Sequence, residues 1–411
     1  MEKDMTKRPE LLCPAGDAER LAAALYFGAD AVYLGGEAFG MRSSPQNFSA
    51  SALPDAVQRA HAAGAKVYLT CNTLPRNDEI ERLPAFLQHA AECGVDAFIV
   101  ADIGVLALCK KYAENVAVHI STQAGVVHYA AARAFYDLGA KRVVLARELS
   151  LAEIAEIRAK TPDDLELECF VHGAMCVSFS GRCLLSNYLT GRDANRGACA
   201  QPCRWAFALC EKSREGQYFP ISEEADGTYI LNSKDLCMIE HIPELVAAGV
   251  DSFKIEGRAK SAYYTAVVTN AYRAAIDGYL QDPSPDYRPA PWVVAETEKV
   301  SYREYCTGFY FDSPQTTANI SLAGGYRRLW DVVAIVHGWE NGYLLCEQRN
   351  KFCVGDTLEA LERGKPPFMF RVETLQNGEG EPIDAAPHPT MCVRIRCDTL
   401  LPAGSLLRKQ A

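Results

Sequence analysis

FGADAVYLGG (27–36) is the first of five similar stretches that decide the fold of this chain. In each stretch a helical segment ends at a glycine, and a short strand rich in β-branched residues follows almost at once. The other four are AGAKVYLTCN (63–72), CGVDAFIVAD (93–102), LGAKRVVLARE (138–148) and AGVDSFKIEGR (248–258). Glycine suits the left-handed residue that ends many helices, and an apolar strand suits a parallel sheet covered on both faces. The repeat therefore predicts alternating helices and parallel strands.

Three further segments complete a set of eight predicted strands: ELLCP (10–14), VAVHIST (116–122) and LELECFVHG (165–173). The first seven strands alternate regularly with helices. Eight βα units that close on themselves form a (β/α)8 TIM-like barrel, and an open doubly wound sheet is the alternative. The G-x-G-x-x-G fingerprint of many open sheets does not follow the first strand. The pattern therefore favours an α/β barrel.

The rest of the chain predicts three further features. The regular alternation breaks between about 172 and 250, where a cysteine-rich insertion follows strand seven. Insertions at βα junctions emerge on the face where barrel enzymes keep their chemistry. We expect the barrel domain to span 1–281, a proline-rich linker and mixed segment to span 282–330, and a small all-β barrel or sandwich to span 331–411.

Composition limits the location and the partners of the protein. The 411 residues carry a formal net charge of −10 at pH 7, so they do not favour a general affinity for nucleic acid. Any RNA site must be a local patch. The first residues contain no apolar signal region, and no apolar run approaches the length of a membrane span. We expect a cytoplasmic protein that does not enter the membrane.

Sixteen cysteines are many for a reducing compartment, where a disulfide framework is not expected. Four of them follow a C-x6-C-x15-C-x3-C spacing in the polar insertion: Cys176, Cys183, Cys199 and Cys203. Four thiolates suit a [4Fe–4S] cluster or a tetrahedral zinc ion. The wide first spacing favours the cluster, because zinc sites usually use tight C-x2–4-C pairs. Packed core cysteines are the third interpretation. Cys169 and Cys237 lie outside the set and could replace one ligand.

The segment ECFVHGAMCVSFSGRCLLS (168–186) resembles the hallmark of the peptidase U-32 family, the so-called collagenase-like peptidases. ELLCPAGD (10–17), STQA (121–124) and FKIEGRAKSAYY (253–264) agree with the same family. The resemblance extends over nearly the whole chain and is strongest to a long branch that hydroxylates tRNA. The hallmark belongs to the family as a whole, however, and does not separate its branches.

The resemblance implies an oxygen-independent hydroxylase whose [4Fe–4S] cluster is held at the positions of the four cysteines named above. In the long branch, prephenate is needed to make 5-hydroxyuridine at the tRNA wobble position. Other branches are thought to hydroxylate a ribosomal RNA cytidine or ubiquinone precursors. Some members act with a second, similar chain. The expected partners are therefore tRNA, a small dicarboxylate co-substrate and a second U-32 subunit.

Charged residues at the carboxyl ends of the predicted strands are the candidates for catalysis and substrate binding. A guanidinium fork suits a dicarboxylate, so Arg147 and Arg258 are the expected clamp. Lys254, Gln123 and Arg42 are the further substrate-binding candidates. The catalytic candidates, which would move protons or orient the base, are Glu148, Glu256 and His172. A salt-bridge network without any ligand is the alternative interpretation of these charges.

Arg182, Arg204 and Trp205 stand around the cysteine insertion and are the candidates for RNA contact, because arginine and an aromatic ring suit phosphates and bases. The tryptophan could instead shield the cluster. Two other function classes remain open. A peptidase is one, although G-x-S-x-G, H-E-x-x-H and a recognisable Cys–His arrangement are all absent from the sequence. A non-catalytic scaffold with a structural cluster is the other.

Overall fold

A computed structural model describes residues 8–41, 47–175, 185–192, 198–202, 222–224, 227–229, 234–311 and 326–411. Eight of its strands run parallel and close into a barrel, because the eighth, β11, pairs with both β7 and β1. The predicted TIM-like barrel is thus confirmed, and the open sheet is excluded. The barrel strands are β1 (Glu10–Pro14), β2 (Ala31–Gly35), β3 (Lys66–Cys71), β4 (Ala97–Val100), β5 (Ala117–Ile120), β6 (Arg142–Val144), β7 (Glu166–Ala174) and β11 (Ser252–Ile255).

Helices connect the barrel strands and cover the outside of the barrel. The five glycines of the repeated stretches all have positive φ, as a left-handed helix end requires: Gly28 (98°), Gly64 (77°), Gly94 (84°), Gly139 (97°) and Gly249 (81°). None of the helices in the described segments is long and apolar enough to cross a membrane. The helices are α1 (Ala18–Tyr26), α2 (Leu53–Ala62), α3 (Asn77–Ile80), α4 (Leu83–Glu92), α5 (Ile103–Tyr112), α6 (Tyr129–Asp137), α7 (Leu151–Ala159), α8 (Leu185–Thr190), α9 (Ile242–Ala247), α10 (Ala262–Gln281) and α11 (Pro291–Glu296), with a 3₁₀ turn at Thr122–Ala124.

The insertion after β7 contributes one strand to the barrel sheet. It contains α8 and the hairpin β8 (Ser222–Glu224) and β9 (Gly227–Tyr229), and it returns at β10 (Asp235–Cys237). This last strand runs antiparallel to the upper end of β7 and parallel to β12 (Tyr305–Cys306). Asp235 fixes the arrangement, since its buried carboxylate accepts hydrogen bonds from the backbone and guanidinium of Arg303.

The C-terminal part is an antiparallel β domain, in agreement with the all-β pattern of the sequence. Its main sheet has seven strands in the order β17-β16-β21-β13-β14-β20-β18, and a two-stranded sheet pairs β15 with β19. Within 326–411, β17 and β18 remain at the two edges, so hydrogen bonds do not close this sheet into a barrel. The strands are β13 (Trp330–Glu340), β14 (Tyr343–Gln348), β15 (Phe352–Cys353), β16 (Thr357–Leu361), β17 (Phe368–Arg371), β18 (Leu375–Asn377), β19 (Ala385–Ala386), β20 (Cys392–Arg396) and β21 (Leu406–Gln410).

A buried cluster of ions joins the two parts. Arg408 of β21 donates to Glu359 of β16 (2.7 Å from Nε to Oε1) and to Glu296 at the end of α11. The ammonium group of Lys299 lies 2.8 Å from the carboxylate of Glu359 and 3.1 Å from that of Glu296. Arg408 and Glu296 are fully buried, and such charges are tolerated only when they are paired. The segment between the barrel and the β domain is therefore part of their interface, which it contacts through Glu296 of α11.

Candidate active site at the barrel mouth

Side chains fill the lower end of the barrel. Arg142, the first residue of β6, contacts three carboxylates that begin β1 or lie near the start of β7: Glu10 (2.5 Å), Glu166 (2.6 Å) and Glu168 (3.0 Å). The Tyr68 hydroxyl also donates to Glu10, at 2.6 Å. Strands begin at the end opposite to the catalytic face of such barrels. This network therefore closes the floor of the barrel and leaves the other end for chemistry.

Above the floor, Lys254 lies inside the barrel and is almost fully buried. Its ammonium group is 2.7 Å from a carboxylate oxygen of Glu168, which is fully buried. It also lies above the rings of Tyr33 (4.6 Å) and Phe170 (5.5 Å). The ion pair and the two rings compensate the cost of burying this charge. The predicted substrate-binding Lys254 is thus an internal partner of Glu168.

Arg147, one of the two predicted clamp residues, is held rigidly on one side of the mouth. Its guanidinium carbon is 3.8 Å from the ring centre of Phe170, so the planar group stacks on the ring. Its Nη1 donates to the carbonyl oxygen of Ala174 (2.7 Å), and its Nη2 is 3.5 Å from the carboxylate of Glu256. Phe170 thereby separates Arg147 from Lys254. A rigid guanidinium is well suited to binding a carboxylate.

The other predicted clamp residue, Arg258, reaches the opposite side of the mouth. Its Nη1 donates to the hydroxyl of Thr70 on β3 (2.9 Å). A Cβ atom on Gly35 would lie 2.5 Å from the same nitrogen, so a side chain there would have to displace the Arg258 guanidinium. A Cβ atom on Gly16 would lie 2.4 Å from the Arg258 carbonyl oxygen. Because β3 and β7 are four strands apart in the eight-stranded barrel, the hydrogen-bond partners of Arg258 and Arg147 lie on opposite sides of the barrel, and the Arg258 side chain is buried.

The remaining candidates lie at the rim or outside the described residues. Glu256 and Glu148 are half-buried at the ends of their strands. Gln123 lies in the 3₁₀ turn after β5, where its backbone N–H donates to Ser121. The same Ser121 hydroxyl accepts a hydrogen bond from Asn72 (3.3 Å). Candidates that fall outside the described residues are Arg42, Arg182, Arg204 and Trp205.

His172 is not part of the mouth, contrary to its assignment as a catalytic residue. β7 has an extra residue between Phe170 and His172, which pair with the consecutive residues Lys254 and Ile255 of β11. Such a bulge shifts the alternation of side chains. His172 consequently points outward from the barrel, on the same face of the sheet as Ile255. It is buried among the rings of Tyr264, Tyr272 and Tyr305, whose centres lie 5.3–6.0 Å from the centre of the imidazole ring.

The buried position of His172 leads to a prediction about acid stability. Burial lowers the pKa of His172 to about 3, although Asp235 acts in the opposite direction. In the unfolded chain the residue takes up its proton near pH 6.5. The stability that the neutral form provides is therefore complete above about pH 6.5 and is lost as the pH falls toward about 3. Urea unfolding at about pH 7.5 and about pH 5 should show a smaller acid-induced loss for His172→Gln than for the wild type.

His337→Gln is the matched control, since the His337 side chain is 58% exposed. This variant should keep the acid-induced loss of the wild type. Equal losses for His172→Gln and the wild type would contradict the buried, neutral state of His172.

Among the four predicted cluster ligands, the structure describes Cys199. Its sulfur accepts a hydrogen bond from the backbone N–H of Gln201 (3.4 Å), a residue with a positive φ of 56°. Backbone N–H groups directed at sulfur are typical of cysteines that hold iron–sulfur clusters, where they tune the potential. This local geometry fits a cluster ligand. Cys176, Cys183 and Cys203 lie outside the described residues.

The two cysteines considered as substitutes occupy the protein interior. Cys169 of β7 is buried in the main core, and burial raises its pKa well above that of a free thiol. Burial also raises the pKa of Cys237 to about 11, and the Tyr272 hydroxyl lies 4.0 Å from its sulfur. Within the described ranges, no three His, Cys, Asp or Glu side chains are grouped as metal ligands.

Sequence reasoning missed several residues of the mouth, namely Tyr33, Thr70, Asn72 and Phe170. Tyr33, Thr70 and Phe170 could have been found from the alternation of inward side chains along their strands. Phe170, for example, lies two residues after the inward-facing Glu168. Asn72 lies beyond its strand, where alternation gives no guidance.

The fold and the site define a (β/α)8-barrel protein with opposed guanidinium groups at its mouth and a C-terminal antiparallel domain. The chain belongs to peptidase family U32. The model of this family matches residues 16–320, and the model of the peptidase family U32 C-terminal domain matches residues 328–408. The resemblance drawn from the hallmark segment is therefore confirmed.

Three relatives illustrate the range of names within the family. The chain is 37% identical to tRNA hydroxylation protein P1 of Bacillus subtilis over 98% of its own length and 96% of that protein. It is 46% identical to an uncharacterized protease of Methanocaldococcus jannaschii over 74% of its own length and 73% of that protein. It is also 38% identical to a 23S rRNA 5-hydroxycytidine synthase of Escherichia coli, over 72% of this chain and 44% of that enzyme.

Proposed function

We propose that this protein is an iron–sulfur-dependent, oxygen-independent RNA hydroxylase that forms 5-hydroxyuridine at the wobble position of tRNA with prephenate as co-substrate. The similarity to a protein named for tRNA hydroxylation, over nearly the full length of both chains, carries the proposal. The relative named as an rRNA hydroxycytidine synthase supports hydroxylation of RNA more generally. An enzyme with this substrate would work in the cytoplasm, and a second U-32 chain could join it there.

The geometry of the mouth supports a dicarboxylate co-substrate. Arg147 and Arg258 lie on opposite sides of the mouth. In this proposal each guanidinium group donates hydrogen bonds to one carboxylate of a molecule that spans the opening. Lys254 does not compete for the ligand, because its charge is neutralised by Glu168. Glu256 stands beside Arg147, and Glu148 follows Arg147 in the chain. In this proposal these two carboxylates orient the uridine base and accept or donate its proton.

Cys176, Cys183, Cys199 and Cys203 would hold the [4Fe–4S] cluster, which supplies one-electron chemistry when bound. The segment that carries the first of these cysteines follows directly on β7, whose Ala174 carbonyl fixes Arg147. The second and third enclose α8, where Ser186 accepts a hydrogen bond from the backbone N–H of Ala200. The segment that carries Cys176 thus begins beside the Ala174 carbonyl that Arg147 contacts.

A peptidase is less compatible with the described residues. They include a Cys–His contact, 3.6 Å between Cys93 and His89, but it lies on α4, outside the barrel. Burial raises the pKa of Cys93, whereas a cysteine nucleophile needs a lowered pKa. His89 also contacts the backbone carbonyl of Ala50. This pair therefore lacks the environment that activates a thiol.

Nucleoside mass spectrometry of separately purified tRNA and ribosomal RNA tests the proposal. The experiment compares the wild-type strain, a strain that lacks the gene, and that strain complemented with the gene. We expect 5-hydroxyuridine derivatives to disappear from tRNA in the deletion strain and to return on complementation. If a hydroxylated nucleoside is lost from ribosomal RNA alone, the substrate is ribosomal RNA and not tRNA. No change in either pool, with cleavage of gelatin by the purified protein, would favour the peptidase.

Arg147→Lys should raise the KM for prephenate about tenfold and change kcat much less. Lysine keeps the charge, but it loses both the planar fork and the stacking on Phe170. The assay follows 5-hydroxyuridine formation in tRNA while prephenate is varied. Arg133→Lys is the matched control, because Arg133 is exposed on the outer helix α6. An unchanged KM for Arg147→Lys would remove this residue from the clamp.

A further inference from the structure

A cleft of about 680 Å³ lies between the barrel and the C-terminal domain. Its walls come from α1, from the segment that leads into α10, and from β13 and the turn after β14. Arg349 of that turn bridges the two parts, because its Nη2 lies 3.0 Å from the carboxylate of Glu19 on α1. Pockets of this size commonly hold a small molecule or a part of a larger one. The cleft contains none of the mouth residues described above.

The lining of the cleft is more basic than the protein as a whole. Two acidic side chains line it, Glu19 and Asp331. Four basic side chains line it, namely Arg20, Lys260, Arg328 and Arg349. Three of these cations are ion-paired, Arg20 with Asp17, Arg328 with Asp331, and Arg349 with Glu19 and Glu347, so an anionic ligand would bind here by exchanging with these carboxylates. The Nε of Arg349 is buried and has no hydrogen-bond partner among the described residues.

Aromatic rings accompany these cations on both sides of the cleft. Tyr26, Tyr263 and Trp330 line it and are each partly exposed. The ammonium group of Lys260 lies 4.0 Å above the ring of Tyr326 and 5.4 Å from that of Tyr264. Guanidinium groups and aromatic faces together are the means by which proteins bind unpaired nucleotides, through the phosphates and through stacking on the bases.

The chain connects the cleft directly to the mouth. Glu256 and Arg258 stand at the rim of the barrel, and residues 259–264 follow immediately and line the cleft. The start of α1 lies against this same segment, since Arg20 Nε donates to the carbonyl oxygen of Lys260 and a Cβ atom on Gly16 would lie 2.4 Å from the carbonyl oxygen of Arg258. A strand whose reacting base enters the mouth would therefore pass this cleft with a neighbouring nucleotide.

We propose that the cleft binds a single-stranded nucleotide of the RNA substrate that flanks the base held in the mouth. The inference rests on the proposed function, because it takes RNA as the substrate. Phosphate oxygens contact Arg328 and Lys260, and the base stacks on an aromatic ring of the lining. The C-terminal domain thus contributes half of the RNA site.

The test uses the full chain and fluorescently labelled tRNA transcript, with binding measured by anisotropy over a series of potassium chloride concentrations. Arg328→Gln should weaken binding about fivefold and reduce the slope of log K against log salt by about 1, as loss of one phosphate contact requires. The Arg328 side chain is 64% exposed and pairs with Asp331 nearby, so the variant should fold. Arg396→Gln is the matched control: Arg396 is an exposed arginine paired with Asp398 elsewhere in the same domain, and binding should not change.

Ultraviolet crosslinking of the same complexes, followed by mass spectrometry, locates the RNA. We expect crosslinked peptides from 259–264 or 326–332 in the wild type. If the wild type hydroxylates RNA, while both variants bind equally and crosslinks map to other segments, the cleft proposal is overturned and the proposed function stands. If the crosslinks map to the cleft but no hydroxylated nucleoside forms in cells or with purified protein, the proposed function fails and the RNA site remains.

Discussion

Cys199→Ala is expected to give a protein without iron and to lower RNA hydroxylation at least ~100-fold, because the proposed ligand thiolate is lost together with its N–H···S hydrogen bond. Anaerobic purification of the variant should give a colourless protein without equimolar iron and sulfide. Hydroxylation is measured by nucleoside mass spectrometry of tRNA from the complemented deletion strain. Thermal unfolding checks that the variant is folded.

Two controls separate a ligand from a cysteine that only packs. Cys392→Ala changes an exposed cysteine of the C-terminal domain, so iron content and activity should stay as in the wild type. Cys237→Ala changes a partly buried cysteine of β10 that packs against the main core beside Tyr272, so iron content should also stay unchanged. Loss of iron with Cys237→Ala, and not with Cys199→Ala, would change the ligand set. Zinc in place of iron in the wild-type protein would exclude the cluster itself.

Arg142→Met should lower the free energy of unfolding by about 3–5 kcal/mol, because it leaves buried carboxylates without their counter-ion. Glu168 is fully buried, and among the described cations only Lys254 would remain as its partner. Equilibrium unfolding in guanidinium chloride measures the effect. Arg133→Met, on the exposed surface of α6, is the control and should change the free energy by less than about 0.5 kcal/mol.

The same variant should alter the pH dependence of stability. Burial by itself would raise the pKa of Glu10, but the charge and hydrogen bonds of Arg142 lower it below the usual 4.5. In the wild type this carboxylate stabilises the fold above about pH 4.5, and the contribution is lost as the pH falls through the lowered pKa. Without Arg142, burial dominates, so acidification should no longer weaken the fold through Glu10. A variant as stable as the wild type at neutral pH would disprove the role of this floor network.

The barrel could be predicted from sequence because its signals are local. Each glycine such as Gly64 ends a helix and precedes a strand within a few residues, so short stretches carry the whole pattern. The position of Arg147 and Arg258 at one end of the barrel was predictable for a related reason, since the carboxyl ends of parallel strands meet at one rim and these arginines follow two of them. β10 was not predictable, because about 60 residues of the insertion separate it along the chain from β7, with which it pairs.

Other parts of the site depended on contacts between distant segments. The pairing of Lys254 with Glu168 requires both side chains to face inward from neighbouring strands. The sequence contains the two charges but not their register. The sequence predicts His172 at the mouth, because nothing in the sequence indicates the extra residue in β7. The helix α11 was also not predicted, because it begins in a proline-rich segment. The burial of its Glu296 is understood only from the ion pair with Arg408 of the C-terminal domain.

The separation of β7 from β11 along the chain has a consequence for biosynthesis. When β7 has been made, the barrel is still a seven-stranded open sheet, and residues 175–251 must be synthesised before β11 can join β7 to β1. During that interval the backbone groups of β1 and β7 are available to other chains, which is the condition that promotes aggregation of folding intermediates. Production of this protein should therefore depend on chaperones, and fragments that end before β11 should precipitate instead of folding.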